Sequence, residues 1–299
     1  MKGILILCKT IPQTLGANRA VARARSPSGL GAFYLAKRIR SVIESPPMAA
    51  KPLAGRRAVI TGASRGLGRA IALALAESGS SLALLGRDAA QLGITEAEAK
   101  RHGVDATCFL GDVTDETQVA RLEREVVTHL GGVDILINNA GMNLRKPLVE
   151  FSLDEWNLVL DTNLTSVFLL CKAFVPHMKG RGYGRIINVT STMSHVAIPM
   201  RGPYAASKAG LLALSRTLAL ELAPEKITVT CISPGPFATE LNQSLLNNPE
   251  VEKSFTSRIP LGRWGNPQEV GKLAAYLCTD DAGFITGSDI LIDGGWCAQ

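Results

Sequence analysis

A tyrosine and a lysine four residues apart, Tyr204 and Lys208, are the residues of this chain best suited to proton chemistry. On a helix, this spacing places both side chains on one face. An ammonium group beside a phenol favours the phenolate and lowers the phenol pKa from about 10 toward the working range. The pair can therefore exchange a proton with a carbonyl/alcohol couple. Ser191 and Asn163 are further polar candidates upstream.

A glycine-rich loop, Thr61–Gly68, lies between the first apparent strand and the first apparent helix. Its glycines follow the spacing GxxxGxG, which permits a tight turn and lets backbone N–H groups approach a pyrophosphate at a helix N-terminus. Together with the Tyr/Lys pair, the loop indicates hydride transfer with a dinucleotide. The loop residues expected to contact it are Gly62, Ser64, Arg65, Gly66, Leu67 and Gly68.

Strand and helix signals alternate from residue 56 to the end of the chain. The predicted strands cover residues 57–61, 81–86, 106–113, 133–140, 185–191, 228–233 and 290–293. The predicted helices cover residues 67–78, 89–101, 115–130, 152–178, 203–223 and 267–278. Continuous apolar strands that are each followed by a helix indicate a parallel sheet covered on both faces. We therefore predict an α/β protein with a single doubly wound, Rossmann-like domain and a seven-stranded parallel sheet.

Ligands in such folds bind at the carboxyl ends of the strands. Asp112 and Val113 end the third predicted strand, where the Asp112 carboxylate could accept the adenine amino group. The segment Asn138–Gly141 ends the fourth strand, so Asn139, Ala140 and Gly141 could line the adenosine ribose. For Asn138, bracing of the sheet is an equally good interpretation.

The tip of the second strand distinguishes NAD from NADP, because an acid there binds ribose hydroxyls and a base binds a 2′-phosphate. Arg87 occupies that tip, and Arg65 in the glycine loop is a second cation directed to the same place. Guanidinium groups bind phosphate bidentately, so the pair favours NADPH. The alternative is that Arg87 is solvated and Asp88 binds the ribose.

The formal net charge of +6 belongs to the first 50 residues. They hold eight Lys/Arg and one acid, whereas the remaining 249 residues carry 24 bases and 25 acids, so no nucleic-acid partner is inferred. Residues 1–50 resemble a mitochondrial or chloroplast transit peptide, which leaves residues 51–299 as the NAD(P)-binding reductase domain. The alternatives are a disordered basic extension, or a translation start at Met48 and a cytoplasmic protein.

The six cysteines have no CxxC or metal-ligand spacing, so we predict reduced thiols and no metal site. No uninterrupted apolar run approaches the roughly 18 residues of a membrane span, and none is expected.

Taken together, these motifs resemble the short-chain dehydrogenase/reductase family, in its compact single-domain branch, over about residues 54–296. The resemblance implies that Tyr204 is the general acid in reduction and that Lys208 lowers its pKa and binds the nicotinamide ribose. It also implies that Ser191 holds the substrate carbonyl oxygen. Asn163, in the long fourth helix, would keep a water that relays protons from Lys208 to solvent.

The resemblance extends to the C-terminal third. In relatives, the turn that contains Pro234 and Gly235 passes over the nicotinamide, and Thr239 would bind its carboxamide. Residues 240–262 would form a mobile lid, with apolar contacts from Phe237, Leu241, Leu245 and Leu246. Relatives with a similar ending assemble as homotetramers through the last strand and the fourth and fifth helices.

The expected activity is NADPH-dependent reduction of a ketone, including 3-oxoacyl thioesters, because the chain is similar to beta-ketoacyl carrier-protein, keto-gluconate and tropinone-type reductases. An acidic acyl carrier protein would need bases near the site entrance, and Lys179, Arg181 and Arg185 are candidates. Glu221 stands where relatives that serve carrier proteins often place a base.

Two other functions stay open: an NAD(P)-dependent dehydrogenase of a sugar acid or other secondary alcohol, and a non-catalytic nucleotide-binding protein. The loop between Ser191 and Tyr204 holds His195 and Arg201. These two are interpreted either as contacts for a polar or carboxylated substrate or as exposed loop residues.

Overall fold

Seven strands form one parallel sheet in the computed structural model, which describes residues 51–242, 247 and 249–299. The predicted leader 1–50, Leu245 and Leu246 lie outside the described residues, and so does the side chain of Leu241. The strands are β1 (Arg57–Thr61), β2 (Ser81–Gly86), β3 (Ala106–Leu110), β4 (Ile135–Asn138), β5 (Gly184–Val189), β6 (Ile227–Pro234) and β7 (Asp289–Ile292).

The strand order is β3-β2-β1-β4-β5-β6-β7, with every neighbouring pair parallel. In the centre of the sheet, Ile60 of β1 is in register with Leu84 of β2 and with Ile137 of β4. All three side chains are fully buried, because both faces of the sheet are covered by helices. The order reverses between β1 and β4, and this reversal opens a crevice at the carboxyl ends of the strands.

The helices are α1 (Gly66–Glu77), α2 (Ala89–Lys100), α3 (Glu116–Leu130), α4 (Leu153–Leu160), α5 (Ser166–Phe174), α6 (Gly202–Leu222), α7 (Pro249–Thr256) and α8 (Pro267–Leu277). Apolar side chains of α1, α2 and α8 form the core on one face of the sheet. Those of α3, α5 and α6 form the core on the other face. The predicted doubly wound fold is therefore confirmed.

The fourth predicted helix, residues 152–178, is not one continuous α-helix. It begins at a capping box formed by Ser152 and Glu155, and it changes to a π-helical turn over Asp161–Thr165 between α4 and α5. A π turn is rare and is found mostly at functional sites, because it redirects side chains that a regular helix would place elsewhere. Here it places Asn163.

By length and composition alone, the stretch Leu153–His177 could cross a membrane, with a mean hydropathy of 1.6 in its most apolar window. Half of that window is buried inside the protein. A core helix of a soluble domain has the same composition, so this stretch is weak evidence for a membrane span.

The glycine loop depends on the absence of side chains at three positions. Gly62 and Gly66 have φ angles of +64° and +55°, a region that other residues rarely adopt. At Gly68, a Cβ atom would lie 2.2 Å from the Gly62 carbonyl oxygen and 2.4 Å from the Asn139 amide nitrogen. The first turn of α1 can therefore lie close to the loop only with glycine at this position.

Replacement of Gly68 by alanine is expected to lower the free energy of unfolding by about 2–3 kcal/mol, because the contacted atoms belong mostly to the backbone and cannot move away. Dinucleotide binding should be lost as well. The matched control is Gly93→Ala, where a Cβ in α2 meets nothing within 4 Å. That variant should be more stable by about 0.5–1 kcal/mol. Urea unfolding measures the stability of both variants. Equal stabilities of Gly68→Ala and Gly93→Ala would show that the close contacts at Gly68 do not require glycine.

Candidate active site

Tyr204 and Lys208 lie in the first two turns of α6, whose N-terminal turn contains Pro203. The Ser191 hydroxyl, two residues after the end of β5, is close enough to the Tyr204 phenol to act on its pKa. The ammonium nitrogen of Lys208 lies 5.9 Å from the centre of the Tyr204 ring and donates a 2.7 Å hydrogen bond to the Val189 carbonyl. The structure therefore brings the predicted serine, tyrosine and lysine together.

The electrostatics of this group differ from the expectation that Lys208 lowers the pKa of Tyr204. Burial raises the pKa of the Tyr204 phenol, and the neighbouring Ser191 hydroxyl and the charges of Arg201 and Arg145 oppose this rise in part. Burial lowers the pKa of Lys208 to about 8. The expected lowering is wrong for this structure, because burial outweighs the opposing charges and the nearby cations that act on the phenol are the two arginines.

Asn163 connects the turn after β4 to α6. Its side-chain oxygen accepts a 2.8 Å hydrogen bond from the Met142 N–H, and its side-chain nitrogen donates to the Met142 carbonyl and to the Ser207 hydroxyl, both at 3.0 Å. Ser207 in turn donates to the Tyr204 carbonyl at 2.7 Å. Asn163 therefore positions the start of α6. Its expected role as the holder of a relay water stays a prediction.

Gly141 lies between Asn163 and Lys208. A Cβ atom at this glycine would be 3.2 Å from the Asn163 oxygen and 3.6 Å from the Lys208 ammonium nitrogen. The first distance is tighter than ordinary van der Waals contact, so a larger residue would push the amide away from the lysine. With glycine at position 141, the Asn163 amide and the Lys208 ammonium can both stay close to this turn.

Two asparagines at the end of β4, Asn138 and Asn139, brace the sheet. Asn138 donates a 2.8 Å hydrogen bond to the side chain of Asn188 on β5, so the bracing interpretation of this residue is the one that the structure shows. Asn139 donates to the carbonyls of Thr61 and Gly62 at 2.9 and 3.2 Å. The Thr61 hydroxyl accepts from the backbone N–H groups of Asn139 and Ala140, both at 3.0 Å. These bonds hold the glycine loop against the end of β4.

A cavity of about 610 Å³ extends along the carboxyl ends of the strands, from the glycine loop to Tyr204. Every predicted cofactor contact lines it: Gly62, Ser64, Arg65, Gly66, Leu67, Gly68, Arg87, Asp112, Val113, Asn139, Ala140, Gly141, Tyr204, Lys208, Pro234, Gly235 and Thr239. Ser191 lines it too, whereas Asn163 is fully buried behind its wall.

The adenosine end of this cavity presents two arginines, Arg65 and Arg87, beside the carboxylates of Asp88 and Asp112. Arg87 is 77% exposed and forms a single 3.3 Å ion pair with Asp112. Asp88, the alternative ribose ligand, caps α2 instead and accepts a 3.1 Å hydrogen bond from the Gln91 N–H. Arg65 is exposed immediately before α1. The glycine cradle at the start of α1 and these two guanidinium groups fit a phosphorylated dinucleotide.

The far end of the cavity contains residues that the sequence analysis missed. Phe255 of α7 stacks on Trp264 and on Trp296, with ring centres 5.8 and 5.9 Å apart. All three line the cavity, as does Arg145. The predicted lid is thus partly a helix. No sequence signal joins the three rings, which are brought together by the tertiary fold. Arg145 follows the fourth strand by a few residues, and this position could have identified it.

Of the two loop candidates, Arg201 lines the cavity and His195 does not. The His195 ring instead pairs with the buried carboxylate of Asp289, 2.5 Å away, which also accepts a 2.8 Å hydrogen bond from Ser233. The interpretation of His195 as a substrate contact is therefore wrong. Its pairing with Asp289 fixes the loop that leads from Ser191 to α6.

The cations proposed for a carrier protein are also misplaced. Lys179 and Arg181 precede β5 and therefore lie at the amino end of the sheet, opposite the site. Arg185 is 5% exposed and donates to the Gly184 and Thr279 carbonyls. The expectation that these residues flank the site entrance is wrong, because the start of a parallel strand and its catalytic end are on different edges of the sheet.

Comparison with known proteins gives consistent matches over this domain. A family model described as enoyl-(acyl carrier protein) reductase matches residues 62–297. Gluconate 5-dehydrogenase of Gluconobacter oxydans is 36% identical over 243 residues, which are 81% of this chain and 95% of that protein. The 3-oxoacyl-[acyl-carrier-protein] reductase of Staphylococcus aureus is also 36% identical over 243 residues, 80% of this chain and 97% of the relative.

Among solved structures, the complex of Pseudomonas aeruginosa RhlG with NADP has a TM-score of 0.79 at 34% identity. The match covers 84% of this chain and all of that one. The fold and the site thus define an oxidoreductase of the doubly wound class that uses a nicotinamide dinucleotide. The chain belongs to the short-chain dehydrogenase/reductase family.

Replacement of Lys208 by methionine is expected to raise the free energy of unfolding at pH 7 by about 1 kcal/mol, because the burial cost of the ammonium exceeds the value of its bond to Val189. The Lys208 pKa of about 8 is below its ordinary value of 10.5. The unfolded chain therefore binds more protons between these two values, and wild-type stability rises with pH in that window.

The gain from Lys208→Met should accordingly shrink as pH rises from 8 to 10.5. Urea unfolding of both proteins at pH 7 and pH 10 tests this. A variant that is less stable than wild type at pH 7 would show that the buried ammonium has no net cost.

Proposed function

We propose that this enzyme uses NADPH to reduce a ketone to a secondary alcohol. The observation that carries the proposal is that Tyr204, Ser191 and Lys208 line one cavity together with the glycine loop and two arginines. When bound, NADPH supplies a hydride to the carbonyl carbon. The reduction then requires a donor that stabilises the developing oxyanion and a proton source.

Tyr204 and Ser191 meet those two requirements. Because burial raises its pKa, the Tyr204 phenol keeps its proton at neutral pH and can donate it to the forming alkoxide. The Ser191 hydroxyl, bonded to the Met193 N–H at 3.1 Å, is held in a fixed position from which it can bind the carbonyl oxygen. The Lys208 ammonium supplies positive charge below its pKa of about 8 and is available to hold the nicotinamide ribose.

Tyr204→Phe is expected to lower kcat by at least about a thousandfold, because the ring remains and the proton source is lost. The dissociation constant of NADPH, measured by its fluorescence, should change by less than about threefold, since the phenol hydroxyl is not needed to bind the phosphates. Substantial turnover by this variant would refute the role of Tyr204. Loss of NADPH binding would mean that the substitution disturbs the site as a whole.

The preference for NADPH is supported by the residues at the tip of β2. Arg87 has its guanidinium exposed to the cavity, whereas the Asp88 carboxylate is occupied as the N-cap of α2. A 2′-phosphate would find two cations, Arg65 and Arg87. A 2′-hydroxyl would find Asp88, whose Oδ1 already accepts the hydrogen bond of the Gln91 N–H.

Arg87→Asp should weaken NADPH binding by about 30-fold or more and NADH binding by much less, since a charge-assisted phosphate contact becomes a repulsion. The two dissociation constants are measured by cofactor fluorescence. Arg101→Asp, the same charge change at the exposed end of α2, serves as the control and should leave the ratio unchanged. An unaltered NADPH/NADH ratio in Arg87→Asp would refute this assignment.

One candidate substrate is a 3-oxoacyl thioester on a carrier protein. It is less well supported, because Lys179, Arg181 and Arg185 do not flank the site entrance. The second candidate, oxidation or reduction of a sugar acid or a related secondary alcohol, is supported by two arginines at the substrate end of the cavity.

Homotetramer assembly stays a prediction, supported by the exposed apolar side chains of Leu158, Phe168 and Leu220 on α4, α5 and α6. Organellar targeting by residues 1–50 stays a prediction as well.

A further inference from the structure

Arg201 is a half-buried cation that has no counter-ion in the part of the chain that the structure describes. It lines the cavity immediately before α6, three residues from Tyr204. Its backbone carbonyl accepts a 2.9 Å hydrogen bond from the Ala205 N–H, but its guanidinium group has no hydrogen bond and no ion pair within the described residues. The residue before it, Met200, has a φ angle of +68°, an uncommon conformation for a residue with a side chain, which is maintained only where the surroundings impose it. The backbone thus takes a strained turn just before this guanidinium.

Arg145 brings a second positive charge to the same end. It lies in the segment after β4, lines the cavity, and has the side-chain oxygen of Asn242 as its hydrogen-bond acceptor, at 3.3 Å. Asn242 is neutral, so the charge of Arg145 is not compensated by it. The pKa of Arg201 is lowered by burial and then by the charge of Arg145, which shows that the two guanidinium groups repel each other.

The acids of the described cavity wall are at the dinucleotide end. Asp88 caps α2, and Asp112 accepts bonds from Thr114 and Arg87. A carboxylate oxygen of Glu240 would lie 3.4 Å from a Cβ atom at Gly66, so this side chain is next to the glycine loop. Two like charges without a described acid between them favour an anionic ligand.

We propose that Arg145 and Arg201 bind a carboxylate group of the substrate, so that the enzyme acts on a small keto acid. This inference rests on the proposed reduction at Tyr204. Both arginines line the same cavity as Tyr204, and Arg201 directly precedes the helix that carries it, so a carboxylate bound there lies on the same side of the cavity as the carbonyl that receives the proton. That position excludes the distant phosphate of a carrier-protein arm as the anion. Guanidinium groups also match a carboxylate bidentately.

The remaining wall accommodates the body of such a molecule. Asn242, which accepts from Arg145, also donates a 3.1 Å hydrogen bond to the Phe237 carbonyl, and Phe237 pairs with Gly265 beside Trp264. The aromatic wall is therefore continuous with the arginine pair. Trp264 lines the cavity, whereas its indole N–H is buried and has no partner among the described residues.

The test uses two ligands of nearly the same shape and different charge, cyclohexanecarboxylate and cyclohexanecarboxamide. Their binding to the full-length protein is measured by titration calorimetry, with and without saturating NADPH. Neither ligand is a ketone, so the result does not depend on turnover. The carboxylate should bind about 30-fold more tightly than the amide, the value typical of a charge-assisted bidentate contact.

Arg201→Gln and Arg145→Gln should each remove most of that difference, and Arg201→Lys should retain part of it. Arg124→Gln, an exposed arginine on α3, makes the same charge change away from the cavity and should keep the difference. Thermal unfolding of each variant confirms that it is folded. Equal binding of the two ligands, absence of carboxylate binding, or an equal loss in Arg124→Gln would overturn the proposal.

A second measurement separates this inference from the proposed reduction. The ketones are 3-oxocyclohexanecarboxylate and its methyl ester, with NADPH oxidation as the readout. Arg201→Gln should lower kcat/KM for the acid by about 30-fold and leave that for the ester within about threefold. If the carboxylate binds as expected but neither ketone is reduced, the proposed function fails and the anion site stands. If both ketones are reduced at equal rates, the reduction stands and the anion site fails.

Discussion

The burial of one charged lysine is the constraint on which the site depends. Lys208 is 4% exposed, and burial lowers its pKa to about 8, so its charge is maintained near neutral pH against a substantial desolvation cost. The Val189 carbonyl at the end of β5 supplies the acceptor that compensates for part of that cost. The π turn that carries Asn163, together with the missing side chain at Gly141, keeps a polar wall beside it. The backbone therefore departs from regular α-helix next to the buried Lys208 ammonium, at the π turn that carries Asn163.

The carboxyl ends of the strands are held together by side-chain hydrogen bonds in addition to the backbone hydrogen bonds of the sheet. The side chains of Thr61 and Asn139 link β1 to the turn after β4, at the point where the strand order reverses. Asn138 and Asn188 make the equivalent link from β4 to β5. Buried polar side chains of this type are stable only when they are hydrogen-bonded, and their bonds fix the relative height of the strand ends. The crevice therefore has a defined shape before any ligand enters.

The sequence permitted prediction of those features whose signals are local. Continuous apolar runs identified all seven strands, although the pairing of β3 and β4 with their neighbours ends at Leu110 and Asn138, before the predicted ends at residues 113 and 140. The Tyr/Lys spacing and the glycine loop led to the catalytic group and the dinucleotide cradle. The π turn at Asp161–Thr165 was not predictable, since the helical apolar period continues through it. Helix α7 lies in a segment that was interpreted as a lid alone.

Properties that depend on what surrounds a group in space could not be predicted in this way. The spacing of Tyr204 and Lys208 suggested a lowered phenol pKa, but burial, which no spacing reports, reverses the direction. The two ends of the cavity likewise differ in what surrounds their arginines. At the adenosine end, Arg87 faces an acid, Asp112, and remains exposed, as suits a ligand phosphate that can displace the acid. At the substrate end, Arg201 is half-buried with no described acid beside it, a state whose electrostatic cost a ligand anion would relieve. Charge that is left uncompensated beside a proton donor is thus the feature of this fold that most directly constrains its substrate.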